Sequence, residues 1–456
     1  MDQRSKIAIL GYGVEGRAIF NYLRAHEYSD ITICDQDMGL KEKMPDGVSV
    51  RLGPKYLNDL TDFDVVFRSP GIRYLDARIQ AAVVGGAEVT SSTKFFMDQC
   101  PCPMIGVTGT KGKGTTCTLI YEMLKKGGKK VHLGGNIGKS PMTFLDDLEK
   151  DEDIVVLELS SFQLQDAGKS PRYAILLNTT TDHLDYHADS DEYMKAKENL
   201  VAHQPKDALA VLNKDYEYVN FYKSQVKGEL KWTSVHDVVE DGAYLDDGKV
   251  IYVKKGKSEE ICRTEEVALT GAHNLENVMP AVIMAKEFGI SNEDIRSVIM
   301  TFKGLPHRLQ FIREMNGVKF YNDSNATAPE PSMAAVDSFE EPTVLIAGGV
   351  NKGFDYGEWA LRILTKPNLH TIILIGASAD EMEKELIEAE EKLVEAQGSP
   401  TKIIRRNSLD DAVLDGYAES DEGGVVVLSP AAASFDMFEN YKERGKKFMA
   451  AVMRLK

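Results

Sequence analysis

The chain's 456 residues are enough for about three domains, and its 43% hydrophobic and 27% charged content is ordinary for a globular protein. A net charge of −17 excludes any function that needs a broad basic face, so no nucleic-acid partner is expected. No run approaches the ~18 apolar residues of a membrane span, and the start, MDQRSKIAIL, lacks the long apolar segment of a signal peptide; a cytoplasmic protein without a membrane span is expected.

In chain order, KIAIL (6–10), ITICD (31–35) and DVVFR (64–68) read as strands with helical patterns between them, the rhythm of a parallel sheet. Cys100-Pro101-Cys102-Pro103 breaks the rhythm and reads as a linker. A second alternating series follows in MIGVT (104–108), IVVLEL (154–159), YAILLN (173–178) and ALAVL (208–212). Within it, Asp246-Asp247-Gly248 is a hairpin signal that predicts a few appended antiparallel strands. A third series contains TVLIA (343–347), TIILI (371–375) and GVVVL (424–428), with a charged amphipathic helix predicted over 379–397.

The expected fold class is therefore α/β, as three consecutive α/β domains. These are a Rossmann-like domain over 1–97, a central P-loop ATPase-like domain over 98–302 with a parallel sheet plus a small antiparallel sheet, and a Rossmann-like domain over 303–456. The five scattered cysteines, Cys34, Cys100, Cys102, Cys117 and Cys262, cannot make a four-ligand zinc site around Cys100-Pro101-Cys102, and reduced buried thiols are expected.

Two glycine loops carry chemistry. Gly11-Tyr12-Gly13-Val14-Glu15-Gly16 follows a strand, opens a helix and precedes Asp35 at the end of the next strand. Such a loop offers turn glycines, close backbone approach to a diphosphate, and an acid for a ribose hydroxyl. It selects for a nucleotide diphosphate beside a sugar, and nicotinamide is only one such group. Val107-Thr108-Gly109-Thr110-Lys111-Gly112-Lys113-Gly114-Thr115-Thr116 joins a strand to a helix as a phosphate loop does, with Lys113 reaching β- and γ-oxygens. Gly114 stands where the hydroxyl for Mg²⁺ normally follows the lysine, and Thr115 is the substitute donor.

Glu158 ends a buried-looking strand of the same sheet, where Mg²⁺ ligands are found, although spacing alone reads it as a strand-end acid. In Asp182-His183-Leu184-Asp185-Tyr186-His187, the absence of a nearby cysteine favours one histidine on Mg²⁺ or phosphate over a zinc site.

Together with Gly134-Gly135-Asn136-Ile137-Gly138, Glu158-Leu159-Ser160-Ser161-Phe162-Gln163, Gly271-Ala272-His273-Asn274-Leu275-Glu276-Asn277, Leu305-Pro306-His307-Arg308 and Asn322-Asp323-Ser324, these segments resemble the Mur ligases. Family order holds from the first glycine loop to the C-terminal segment. Ser429 to Tyr441 and Asn322 to Thr327 resemble the branch of the family that adds D-glutamate.

The resemblance implies ATP-dependent ligation of D-glutamate to UDP-MurNAc-L-alanine through an acyl phosphate and a tetrahedral intermediate, by a monomer. It implies Lys113, His183 and Lys197 as catalytic groups, and Gly109, Thr110, Lys111, Gly112, Gly114, Thr115 and Thr116 around the ATP phosphates. Asn274, Asn277, Arg308 and Asp323 would serve the rest of ATP, although the two asparagines, at a helix start, read equally as caps. Gly11, Val14, Gly16, Asp35, Ser69, Gly71, Asn136, Ser160 and Gln163 would hold the UDP substrate. Thr327, Lys352, Ser434 and Tyr441 would hold D-glutamate.

Two Mg²⁺ ions are implied on Thr115, Glu158, His183 and a carbamylated Lys197. On sequence alone Lys197 is a helical surface lysine with Lys195 as its rival. Asn325 stands where the branch often has lysine, Asn351 where an acid is common, and Lys111 where the family usually shows asparagine. The rival readings are a nicotinamide oxidoreductase built on Gly11–Asp35, and a Mur-type ligase for another amino acid.

Overall fold

The apolar runs of the first segment become the centre of a five-stranded parallel sheet. Its strands are β1 (Ile7–Leu10), β2 (Ile31–Asp35), β3 (Ser49–Leu52), β4 (Val65–Arg68) and β5 (Glu88–Thr90), in the order β3-β2-β1-β4-β5. Alternate residues feed opposite faces: Ile7, Ile9, Ile33 and Phe67 enter one core, while Ala8, Leu10, Cys34 and Val66 enter another. A strand buried on both faces has to be apolar throughout, which is why these runs read so clearly. The strands SVRL and EVT are short and polar edge or near-edge pieces and carry no such signal.

The second sheet has nine strands: β6 (Met104–Thr108), β7 (Lys130–Gly135), β8 (Asp153–Glu158), β9 (Tyr173–Leu176), β10 (Leu209–Asn213), β11 (Glu229–Ser234), β12 (Gly242–Asp246), β13 (Lys249–Lys254) and β14 (Lys257–Arg263). The order is β14-β13-β12-β11-β10-β9-β6-β8-β7. It is parallel from β7 to β12, and the hairpin at Asp246-Asp247-Gly248 turns it antiparallel through β13 and β14. The third sheet comprises β15 (Gln310–Met315), β16 (Val318–Asn322), β17 (Thr343–Gly348), β18 (Leu369–Ile375), β19 (Lys402–Arg406) and β20 (Val425–Leu428), in the order β15-β16-β20-β17-β18-β19. Only β15 runs antiparallel to its neighbour.

This computed structural model describes residues 2–456 except 46, 181–185, 270, 272 and 394–400. The chain forms two units, Met1–Phe302 and Lys303–Lys456. The first two sheets belong to the first unit and the third sheet forms the second. The charged helix spans Ala379–Leu393, and the rest of its expected range lies outside the described residues. Among the described residues no helix is long and apolar enough to cross a membrane.

Each sheet of the first unit reverses its winding direction beside the strand that carries a glycine loop. The chain leaves β1 towards β2 and later returns to β4 on its other side. It leaves β6 towards β7 and β8, then returns to β9 across from them. A crevice opens at the carboxyl ends of the strands at such a reversal, which is where open α/β sheets bind ligands.

Candidate functional site

At the first reversal, Gly11 adopts φ +82°, and a side chain on Gly16 would put its Cβ 2.0 Å from the Gly11 carbonyl oxygen. The helix Val14–Ala25 therefore starts directly against the turn, with its orphan N–H groups facing the crevice. Asp35 accepts from the Tyr12 N–H at 2.7 Å and from the Asp37 N–H at 2.9 Å, and Ser69 Oγ donates to the Gly11 carbonyl at 3.0 Å. Val14 is 69% exposed at the loop, a large apolar side chain left open there. Ser69 also accepts from the Ile72 N–H, so the Ser69–Gly71 stretch is a turn.

At the second reversal, β6 ends in a loop with Gly109 at φ +156° and Gly112 at φ +84°, and the helix Lys113–Lys126 begins. The Asn178 carbonyl accepts from the Thr110 N–H at 2.8 Å, and Asn178 Oδ1 accepts from the Lys111 N–H at 3.0 Å. The Thr110 hydroxyl meets Tyr193 at 2.9 Å and donates to the Thr180 carbonyl at 2.9 Å. Asn277 lies against Gly112 so closely that a Cβ there would meet its Oδ1 at 2.0 Å, and Asn277 donates to Asn274 at 2.9 Å. The two asparagines thus meet each other beside the Gly109–Lys113 loop. Thr116 is fully buried and turns its hydroxyl onto Asn277, whereas Thr115 is half-buried at the helix start.

Lys113 Nζ donates to the carbonyls of Gly109 (2.9 Å) and Thr110 (3.1 Å). Lys197 Nζ donates to the same Gly109 carbonyl at 2.9 Å and to Thr108 Oγ1 at 3.3 Å. Lys197 is 1% exposed, so the surface-lysine reading is wrong, while Lys195 is exposed. The helix Ser190–Ala202 turns Tyr193, Ala196, Lys197 and Leu200 inward, and the Lys197 amine sits 4.6 Å from the Tyr193 ring centre.

Glu158 ends β8, 6% exposed, and accepts from Asn136 Nδ2 at 3.0 Å. Burial pushes the neighbouring Cys117 thiol well up; the Glu158 carboxylate adds to this and Lys113 opposes it, which places acid and lysine in one small region. His183, with Asp182 and Asp185, lies outside the described residues.

The first glycine loop and the end of β4 are tied to the segment that follows β8. Gln163 Nε2 donates to Glu15 at 2.7 Å, while its Oε1 accepts from the Ser160 N–H in a capping box. Burial raises the Glu15 carboxyl above the usual range, against the Gln163 bond that lowers it. Arg68, at the end of β4 and 1% exposed, pairs with Asp166 through two hydrogen bonds of 2.8 and 3.2 Å. It also donates to the carbonyls of Ile72 and Phe162. Burial opposes the Arg68 charge, but Asp166 raises the pKa past that effect. Sequence reasoning passed over Arg68 and Asn178; an arginine closing an apolar strand and an asparagine just past another were the available signals.

In the second unit, three adjacent strands end together. Asp323 follows β16 and is 5% exposed; it accepts from the Ser429 hydroxyl at 2.7 Å and the Leu309 N–H at 3.1 Å. Burial pushes it up to about 7, against the hydrogen bonds and the charges of Arg308 and Arg444. Arg308 itself is exposed. Val350 and Ala433 exchange backbone hydrogen bonds, which joins the segment after β17 to the one after β20. Lys352 then sits over the Phe435 ring at 5.1 Å, and the buried Ser434 hydroxyl beside it has no hydrogen-bond partner among the described residues. Thr327 is half-buried, and Asn351 donates to Glu381.

Beneath these loops lies Arg444, fully buried, which sequence reasoning missed. It donates to the Ser324 hydroxyl and carbonyl at 3.0 and 2.9 Å, and to the Ala432 carbonyl at 3.0 Å. Tyr441 opens the same helix and accepts from Ser324 at its carbonyl (2.8 Å). Burial lowers Arg444 to about 10, with Asp436 and Asp323 opposing.

Comparison with known proteins completes the description. Residues 5–91 match the family model of the Mur ligase MurD-like N-terminal domain, and residues 107–285 match that of the Mur ligase middle domain. The chain is 39% identical to the UDP-N-acetylmuramoylalanine–D-glutamate ligase of Acetivibrio thermocellus, over 99% of this chain and 96% of that protein. It is 38% identical to the ligase of the same name from Clostridium kluyveri, over 98% and 96%. A crystal structure of UDP-N-acetylmuramate-alanine ligase MurC from Thermotoga maritima aligns over 99% of both chains at 17% identity and a TM-score of 0.55, a likeness of fold.

Proposed function

The chain belongs to the Mur ligase family, and from that premise we propose that it joins D-glutamate to UDP-N-acetylmuramoyl-L-alanine at the expense of ATP, in peptidoglycan precursor synthesis. The observation that carries this is the 39% identity, over 99% of the chain, to a ligase named for that reaction. A nicotinamide oxidoreductase built on the first glycine loop would leave the loop at Gly109–Lys113 without a task.

The chemistry needs a phosphoryl transfer to the alanyl carboxylate, attack of the D-glutamate amine on the acyl phosphate, and collapse of the tetrahedral intermediate to amide and phosphate. In this reading residues 1–97 take the UDP substrate, 98–302 the ATP and 303–456 the amino acid. The Val14–Ala25 helix start receives the diphosphate, with Gly11, Val14, Gly16, Asp35, Ser69, Gly71 and Asn136 around it and Ser160 and Gln163 beyond. Lys113 exchanges the carbonyls of Gly109 and Thr110 for phosphate oxygens, and the first-turn N–H groups of its helix share the load. Asn274, Asn277 and Arg308 serve the rest of the nucleotide. Asp323 acts from beneath, because its carboxyl is spent on Leu309 and Ser429. Lys352, Ser434, Thr327 and Tyr441 take D-glutamate, and the unpartnered Ser434 hydroxyl supports that role.

The residues present suit magnesium. Glu158 and Thr115 are hard oxygen donors at the phosphate loop, and among the described residues no group of three His, Cys, Asp or Glu offers a competing site. A second ion would use His183 and a carbamylated Lys197. The Lys197 amine would add carbon dioxide and release a proton, giving an anionic carbamate beside the Lys113 ammonium that shares the Gly109 carbonyl. Magnesium, when bound, would neutralise charge on the transferring phosphoryl group. We also infer a monomer working in the cytoplasm.

The direct test of this function is ADP formation with UDP-N-acetylmuramoyl-L-alanine, ATP, Mg²⁺ and D-glutamate. Turnover should need all four, and activity that persists without the UDP substrate would sink the reading.

A further inference from the structure

The connection from the helix Ser92–Gln99 to β6 carries the chain from the first sheet to the second, and it holds two thiols. Cys100 Sγ and Cys102 Sγ lie 3.7 Å apart across Pro101. Cys100 is half-buried, Pro101 is exposed and Cys102 is buried. The hydrogen bond from Cys102 holds the Cys100 thiol below its ordinary range, while the same partner and burial push Cys102 above it. The Lys169 ammonium adds to the first effect; it donates to the Met97 carbonyl at 2.7 Å and pairs with Asp98. The remaining thiols, Cys34, Cys117 and Cys262, are buried and pushed up by burial. One thiol pair thus combines an accessible, acidified sulfur with a second sulfur in contact, the arrangement that thiol–disulfide exchange requires.

We propose that Cys100 and Cys102 form a redox-active dithiol that closes to a disulfide by exchange with a small-molecule disulfide such as glutathione disulfide. The Cys100 thiolate attacks one sulfur of glutathione disulfide, forming a mixed disulfide and releasing one glutathione thiolate. Cys102 then gives its proton to solvent, and its sulfur attacks Cys100 Sγ and expels the second glutathione. Two protein thiols and one disulfide become one protein disulfide and two thiols, a two-electron exchange that needs no other reactant. Closure brings the sulfurs from 3.7 Å to the ~2.05 Å of a disulfide bond. A ring this small is strained, which keeps the bond reducible. The strap leads straight into the strand that ends at Thr108, so the modification sits one strand away from the loop that starts at Gly109.

The test uses the full chain. After incubation with glutathione disulfide, quenching by alkylation under denaturing conditions and mass analysis, the wild-type protein should keep three alkylatable thiols. Its missing pair should map to Cys100 and Cys102, and dithiothreitol should restore all five. Cys102→Ser should stop at a glutathione adduct on Cys100, and Cys100→Ser should take up neither adduct nor disulfide. In the folded protein Cys100 should alkylate at least about tenfold faster than Cys34, Cys117 and Cys262. Five alkylatable thiols after oxidation, or a glutathione adduct that persists on the wild-type chain, would overturn the proposal.

Discussion

Lys113 and Lys197 bring their amines to the same atom, each donating to the Gly109 carbonyl oxygen at 2.9 Å. One lysine comes from the helix that begins at the loop, the other from the helix Ser190–Ala202. A carbonyl oxygen has two lone pairs, so both bonds are accommodated, but a loop carbonyl held by two cations is poised to release one of them to a polyanion. Lys113, the less buried of the two, is the one that moves in this account.

Lys113→Ala should therefore abolish turnover, lowering it by about 10²–10³-fold or more while the chain remains folded. Phosphate release and far-UV circular dichroism check the two halves of that statement. Wild-type turnover would remove the loop from the mechanism.

Gly112→Ala should be nearly as damaging through backbone geometry alone. The residue sits at φ +84° and its new Cβ would meet Asn277 Oδ1 at 2.0 Å. A left-handed alanine costs on the order of 1–3 kcal/mol, and relief of the clash must displace Asn277. The expected result is a raised KM for ATP with the KM for D-glutamate unchanged. An unaltered ATP KM would show that the contact is dispensable.

Asp166→Ala would leave the Arg68 guanidinium buried without its carboxylate. The pair is almost wholly enclosed, with side chains 0% and 2% exposed, so a loss of about 3–5 kcal/mol is expected in the unfolding of the first unit. The double variant Arg68→Met, Asp166→Leu should recover part of that loss. Denaturant unfolding of the wild type and the two variants measures the loss and the recovery.

Asp323 makes the second unit sensitive to pH. Its folded pKa is raised from an ordinary 3.8 to about 7, so the folded state holds a proton that the unfolded state has released. Stability attributable to this group should fall as pH rises from about 4 to about 7 and stay level above, by an amount on the order of a few kcal/mol. Asp323→Asn should flatten that slope. Fluorescence of the buried Trp359, in a Trp232→Phe background, follows the unit. A slope equal to wild type would assign the pH dependence to other groups.

The central strands were legible because burial on both faces forces continuous apolar runs such as IAIL and VVFR. Strands SVRL, EVT and KIIRR were not, since edge positions accept polar residues. The glycine loops were legible because positive φ and close approach leave few residue types usable. Lys197 shows the opposite case: a lysine in a helix of mean polar character carries no local sign of burial, and only the packing of that helix under the phosphate loop puts it inside. Arg444 is hidden for the same reason, its partners being backbone carbonyls that no side-chain pattern announces.

The central claim is the identity of the acceptor, and the direct measurement is phosphate release with UDP-N-acetylmuramoyl-L-alanine, ATP and Mg²⁺, offering amino acids one at a time and weighing the product. The account predicts release with D-glutamate alone and a product heavier by one glutamyl residue. Release with a different amino acid, or with none, would contradict it.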